Sequence, residues 1–308
     1  MLTTSSKYEI IHEAVTQENS LLSVEKLCEY AQVSRSGYYA WVKSADKRAE
    51  REEQDRQDFD LILKAYKFRG YAKGIREIHM TLLHMGIRMN IKKIRRLMNK
   101  YGLKCPHRGP NPYRQMAKAI KTNSTFPNIV DRKFTDGGVR KILLTDITYI
   151  FYKGGVCYLS TVLDAYTREV LAYQLSRNLM VGFVLDTIDE LIRKHGSELD
   201  DTAIIHSDQG CHYTSKTFIE KLKDNGFVQS MSRRGNCWDN APQESFFGHM
   251  KDEIKYEIAL MDSFEKVSAK IDDWIDYYNN DRYQTGLAQL SPSEYYKYVT
   301  TGVYPLQV

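Results

Sequence analysis

The chain has 308 residues, 42% hydrophobic and 27% charged, with a formal net charge of +5. That length allows two or three compact units with cores of their own, and no apolar run approaches the ~18 residues of a membrane helix, which excludes an α-helical span. The N-terminus, MLTTSSKYEIIHEAV, lacks the charged-then-apolar order of a secretory signal, and five cysteines without a C-x-x-C pair argue against a disulfide frame or a zinc knuckle, so a reducing, cytoplasmic setting is expected.

The net charge hides an asymmetry. Residues 1–125 hold 24 Lys and Arg against 13 Asp and Glu, whereas residues 126–308 hold 20 against 26. Within 61–125 there are 16 basic residues and one acid, Glu77. Such a density of positive charge, interleaved with Tyr66, Tyr71, Tyr101 and Tyr113, is the footprint of a protein that binds a phosphate backbone. A solvated helix face usually mixes both signs.

The first element pair is LLSVEKLCEYAQVSRSGYYAWVKS. Ser23 is placed to cap a helix carrying Val24, Leu27, Cys28 and Ala31, and Gln32-Val33 breaks it. Ser34 caps a second helix with Arg35, Tyr38, Tyr39 and Trp41. This is a helix-turn-helix pattern over residues 1–45, with Arg35 available to a DNA groove, although an ordinary helical hairpin reads the same way. Residues 46–60, charged in both signs, read as an exposed linking helix. The pattern then repeats in a second basic helical DNA-binding unit, 61–105. There Ile75, Ile78, Leu82 and Leu83 precede a break at Gly86, and Asn90 caps a helix with Ile91, Ile94, Leu97 and Met98 on its buried stripe. Lys92, Lys93, Arg95, Arg96 and Lys100 cover the remaining surface as DNA-binding candidates, and Gly102 stops the helix. His79 and His84 lack the paired cysteines of a zinc finger. Residues 106–135, proline-rich and without hydrophobic period over most of their length, read as a basic extended linker.

From residue 140 the pattern turns to strands. KILLTDITYIF, VCYLSTVLDAYT and EVLAYQLS form a meander, with Lys153-Gly154-Gly155 as its first turn. VGFVLDTIDELIRKH has helical spacing, TAIIHSD is a short buried strand, SKTFIEKLKDNG is a helix and FVQSMS a further strand. A meander followed by alternating helix and strand makes a mixed α/β sheet with helices on its faces. RRGNCWDNAPQESFFGHMKDE then opens a helix, with Asn240 as N-cap and Pro242 in the first turn.

Three acids stand out. Asp146 lies inside an apolar strand, Asp208 falls just past the end of another, and Glu244 opens the last helix. Burying Asp146 is costly unless its charge is compensated, either by hydrogen bonds to loop backbone or by a divalent cation of the kind that takes hard oxygen ligands.

Asp146 in LLTDITYI, Asp208 in HSDQGCHYTS and Glu244 in GNCWDNAPQESFFGHMKDE, with 35 residues between the last two, resemble the Asp-Asp-Glu core of bacterial insertion-sequence transposases. The nearest kind is the second-reading-frame product of two-frame elements, related to retroviral integrases. WIDYYNNDRYQTGLAQLSPSEYY resembles the closing segment of that family, except that Tyr283 follows Arg282 near where relatives show a histidine, and no catalytic task is assigned there.

The resemblance implies a ribonuclease-H-like mixed sheet with flanking helices over residues 136–258, preceded by an all-α region with two helix-turn-helix units and followed by a helical segment, 259–308. It implies metal-dependent cleavage at transposon ends and strand transfer by the exposed 3′-hydroxyl. Asp146, Asp208 and Glu244 are then the catalytic ligands of two Mg²⁺ ions, with Mn²⁺ able to substitute. Lys251, roughly 10 Å beyond Glu244 on the same helix face, meets transposon-end DNA, and Arg233 is a further DNA-binding candidate. The implied partners are double-stranded DNA (terminal inverted repeats and target), further copies of the chain in a homo-oligomer on DNA, and an upstream-frame protein or fusion. The setting is the bacterial cytoplasm, at the nucleoid, without membrane. Phe246, Phe247, Cys237 and Trp238 are expected to be packing residues. Two other readings share these residues: a ribonuclease-H-like nuclease or junction resolvase, and a DNA-binding regulator with an inactive core.

Overall fold

The computed structural model describes residues 2–17, 23–105, 126–233 and 236–306. Arg234 and most of the 106–135 linker lie outside the described residues. The chain divides into two compact units, Met1–Lys64 with Lys93–Leu103, and Ala65–Lys92 with Lys104–Val308.

Six helices come first: α1 Thr4–Thr16, α2 Val24–Tyr30, α3 Arg35–Lys43, α4 Ala45–Lys67, α5 Ile75–His84 and α6 Ile91–Lys100. Hydroxyl caps begin the first three. Thr3 accepts from the Ser6 amide, Ser23 from Lys26 and Ser34 from Gly37, each satisfying an amide that the first turn leaves unpaired. Gln32 takes the left-handed conformation between α2 and α3 at φ 56°. Tyr8 and Ile11 of α1 close a small core with Cys28 and Tyr38, so the helix pair read from the sequence gains a third helix as its lid.

Two expectations are corrected among these helices. Ile91, placed on the buried stripe of α6, is exposed, while Ile94, Leu97 and Met98 are buried. The linking helix runs through to Lys67 and is no bare solvated connector. Asp55 takes a two-pronged bond from Arg96, at 2.6 and 2.7 Å, and a third from Lys100 at 2.8 Å, while Asp58 pairs with Lys93. The acids on α4 and the cations on α6 form one ladder, with Phe59 against Tyr101 at 4.5 Å between ring centres.

The second unit is built on a five-stranded sheet: β1 Ile142–Tyr152, β2 Gly155–Asp164, β3 Val170–Ser176, β4 Ile204–Ser207 and β5 Val228–Met231, in the order β3-β2-β1-β4-β5. β1, β2 and β3 are antiparallel neighbours, whereas β4 pairs parallel to β1 and β5 parallel to β4. An antiparallel meander extended by parallel strands through helical crossovers is the ribonuclease-H-like arrangement, as the sequence led one to expect. Helices α7 Val181–His195 and α8 Lys216–Asp224 supply the core on one face, with Phe183, Val184, Phe218 and Leu222 against Leu143, Val162 and Ile205. Helices α9 Ala241–Leu260 and α10 Phe264–Asn280 supply the other, and α11 Pro292–Thr301 follows.

Phe246 and Phe247 are buried on α9. Phe246 lies 5.5 Å from the Trp274 ring centre and 4.9 Å from that of Tyr278 on α10. Each such ring is worth about 1.5–3 kcal/mol of apolar burial, enough to seat the helix on the sheet. Further along α9, Glu253 accepts from Trp274 at 2.9 Å and from the buried Arg282, which also reaches Glu77 at 3.3 Å. Tyr283 stacks on His84 with 3.5 Å between ring centres.

Candidate active site

The parallel pairing of β1 with β4 runs through Leu143↔Ile205 and Leu144↔His206. Asp146 stands two residues past Leu144 and Asp208 two residues past His206. Side chains two apart share a face of a sheet, so the register sets both carboxylates on the face that α9 covers. Gly210 turns the chain after Asp208, and its amide donates to Asp208 Oδ1 at 2.8 Å. A side chain at 210 would put a Cβ 2.9 Å from that oxygen, so the carboxylate would have to swing aside.

Helix α9 is docked beside Asp146 by two side chains that sequence reasoning did not single out as site residues. Gln243, fully buried, donates to the hydroxyl of Thr161, the residue directly opposite Asp146 in the β1–β2 ladder. Asn240 occupies the N-cap position, but its side chain makes no cap bond. It turns instead to the sheet and donates to Asp146 Oδ2 at 3.3 Å. Pro242 sits in the first turn, where its missing amide proton costs nothing. Glu244, one residue on from Gln243, is exposed at the start of the helix.

The electrostatics tie the three acids together. The half-buried Asp146 carboxyl is pushed up to about 7, first by burial, then by the charge of Asp208 and less by that of Glu244, while the Ile147 amide (2.7 Å) and Lys251 pull it down. Tyr213, buried beneath, feels both Asp146 and Asp208, and its phenol is pushed well above its ordinary value, chiefly by burial. The charges of Asp208 and Glu244 add to burial in raising the affinity of Asp146 for a proton, and for any other cation.

Immediately before α9, the 3-10 turn Cys237–Asn240 is anchored by Asp239, which is wholly buried. Its carboxylate accepts from Asn128 Nδ2 (3.0 Å), Arg132 Nε (2.8 Å), the Arg233 amide (3.0 Å), Arg233 Nε (2.7 Å) and Arg233 Nη2 (2.9 Å). This holds the acid well below the usual carboxylate range in spite of its burial. Trp238, expected to pack, is 58% exposed: burial of Asp239 on one side of the short turn directs its neighbour to solvent.

The remaining DNA-binding candidates divide. Lys251 lies within the field of Asp146, and Lys92 and Arg95 are exposed on α6. Arg35 pairs with Glu25 at 3.1 Å across two exposed side chains, a contact of small energetic weight. Lys93 and Arg96 pair with Asp58 and Asp55, and Arg233 is committed to Asp239 and Asp131 with half its side chain exposed.

Models of the integrase core domain match residues 138–237 and 225–292, and a model of an HTH-like domain matches residues 53–111. A protein named as the transposase InsK of insertion sequence element IS150, from Escherichia coli strain K12, is 31% identical over 88% of this chain and 93% of its own length. The chain belongs to the insertion-sequence transposases with an integrase core. A second relative of the transposase, named for insertion sequence element IS904 of Lactococcus lactis, is 29% identical over 82% of this chain and 98% of its own length. Among solved structures, the HTLV-2 integrase catalytic core in complex with magnesium superposes with a TM-score of 0.40 at 14% identity, covering 50% of the transposase and 94% of that core. No helix among the described residues is long and apolar enough to cross a membrane.

The donor set of the transposase fits a hard divalent cation in its chemistry: carboxylate oxygens from β1, the end of β4 and the start of α9, one of them raised in pKa by burial and then by its neighbours. Beside them, the buried Asn240 Oδ1 and Gln243 Oε1 are without hydrogen-bond partners. As the side chains lie, no three His, Cys, Asp or Glu among the described residues stand close enough to enclose an ion. For these carboxylates to enclose one ion, the exposed Asp208 and Glu244 would have to rotate.

Proposed function

We propose that the transposase cuts DNA at the ends of its element and joins the freed 3′-hydroxyl to a second phosphodiester, with Asp146, Asp208 and Glu244 as the ligands of two divalent cations, Mg²⁺ or Mn²⁺. The β1–β4 register, which puts Asp146 and Asp208 on neighbouring strands within one another's field and that of Glu244, carries this reading. The ions would supply an activated attacking oxygen and a stabilised leaving oxygen in an in-line displacement.

The chain's own residues do the rest. Asp146, least exposed of the three, provides the fixed corner, held by the Ile147 amide and by Asn240. Asp208 is steadied by the turn at Gly210, and Glu244 closes the third side from α9. Lys251 sits within reach of Asp146's field, where an ammonium suits a neighbouring DNA phosphate. The exposed Lys92 and Arg95 offer contacts to the DNA backbone, and the partners are the element's terminal repeats and target DNA, engaged by more than one copy of the chain. No side-chain nucleophile is needed, because water and then a DNA hydroxyl attack.

The test uses duplex oligonucleotides carrying the element's terminal repeats. The wild-type chain is expected to nick and join them only with Mg²⁺ or Mn²⁺ present. Asp208→Asn should retain the duplex and leave it intact. Joining in the presence of a chelator would overturn the reading.

A further inference from the structure

One buried network touches all three elements that carry the carboxylates, yet none of its members is a candidate ligand. Asp239 lies five residues ahead of Glu244 on the turn that feeds α9. Its carboxylate is saturated by the donors from Asn128, Arg132 and Arg233, which leaves it no capacity for a cation. Its carbonyl accepts from Nε2 of the buried His206 at 2.9 Å. His206 belongs to β4, two residues before Asp208. With Nε2 engaged by that carbonyl, Nδ1 faces the Ser230 hydroxyl of β5 at 2.9 Å, and the same hydroxyl oxygen accepts from the Ile129 amide. On the other side, Asn240, bonded in sequence to Asp239, donates to Asp146.

We infer that Asp239 is a positioning residue that sets the three carboxylates in register. It locks the turn before α9 to strand β4 through His206 and leaves Asn240 facing strand β1. This rests on the metal-dependent reading above. The arrangement requires an acid. An asparagine in its place would present an amide N–H to a ring of donors, leaving at least one guanidinium nitrogen or the Arg233 amide unpaired. The turn would then slacken, and Glu244 and Asn240 with it.

Titration of the full-length chain with Mn²⁺, free ion read by electron paramagnetic resonance and without DNA, tests this alongside thermal melting. Wild type is expected to bind Mn²⁺ and Asp208→Asn to lose it. Asp239→Asn should weaken binding about tenfold, the size of effect typical of outer residues that orient metal ligands, with saturation recovered at higher Mn²⁺. Arg132→Gln, which removes one half-exposed donor, should weaken it a few-fold in a chain that still folds. A lowered melting temperature with unchanged Mn²⁺ affinity in the folded protein would overturn the inference while leaving the three ligands standing. Should Asp239→Asn fail to fold, Arg132→Gln decides, and unchanged affinity there overturns it. A wild-type chain that binds no Mn²⁺ overturns the metal reading itself, and the inference falls with it.

Discussion

On α6, Lys93, Arg96 and Lys100 each meet an acid of α4. On β1, Asp146 feels the charges of two further acids, Asp208 and Glu244, and that of Asp208 outweighs that of Lys251. The first region cancels charge within the fold. The second accumulates it at one end of a sheet and leaves the balance to come from outside. The difference teaches that a charge count along the chain measures what is encoded and not what is available. The stretch 61–125 is almost wholly basic, but the preceding helix supplies Glu52, Asp55 and Asp58 to it, and part of the surface counted for DNA is spent at home.

The largest expected effect probes the uncancelled side. Asp208→Asn should reduce strand cleavage by about a hundredfold or more while DNA retention in a gel-shift assay is unchanged. Equal loss of both would mean that the acid shapes the fold and not the chemistry. Next comes a buried acid pair that is cancelled within the same unit. Arg282→Leu leaves Glu253 and Glu77 facing each other without their shared guanidinium, and urea unfolding should register a loss of about 3–5 kcal/mol. A loss below 1 kcal/mol would show that the pair is not sealed from water.

Lys73 sharpens the comparison from the cationic side. It is buried, donates to the Phe68 and Tyr71 carbonyls, and burial pushes its ammonium down to about 8. Between that value and the ordinary lysine range the unfolded chain binds more protons than the folded one, so stability from this group rises with pH there and is flat below it. Lys73→Met should remove the rise. Wild type should gain up to about 3 kcal/mol relative to the variant between pH 8 and 10.5 in denaturant melts, and parallel curves would refute the buried, perturbed state. The smallest effect is expected on α4. Asp55→Asn releases Arg96 and Lys100 at a cost of about 1 kcal/mol or less, and should tighten salt-sensitive DNA retention. Unchanged retention would place that face of α6 away from DNA.

The three candidate acids were legible because strands and acids leave period and composition in the chain. Asp146 interrupts an apolar run, Asp208 precedes a glycine turn, and Glu244 follows a proline-marked helix start. What was not legible is the partner each polar residue chooses. Asn240 reads as a cap because asparagine caps helices, and only the approach of β1 turns its amide to Asp146. Asp239 carries no local mark at all: its donors come from residues 128, 132 and 233, and a tertiary acceptor cannot be read from neighbours in sequence. Arg233 was taken for a DNA contact on the same grounds of isolation. In α4 the mixed charges were read as solvation because the period that would bury Asp55 and Asp58 against α6 is carried by cations thirty-five or more positions away.

The parallel ladder between β1 and β4 sets an uneven tolerance for copying errors. Lengthening the connection between α7 and β4 moves neither Asp146 nor Asp208, since the two strands re-enter in the same alignment. Deleting one codon between His206 and Asp208 swings the second carboxylate to the opposite side of the sheet, and the element that carries such a copy is stranded where it lies.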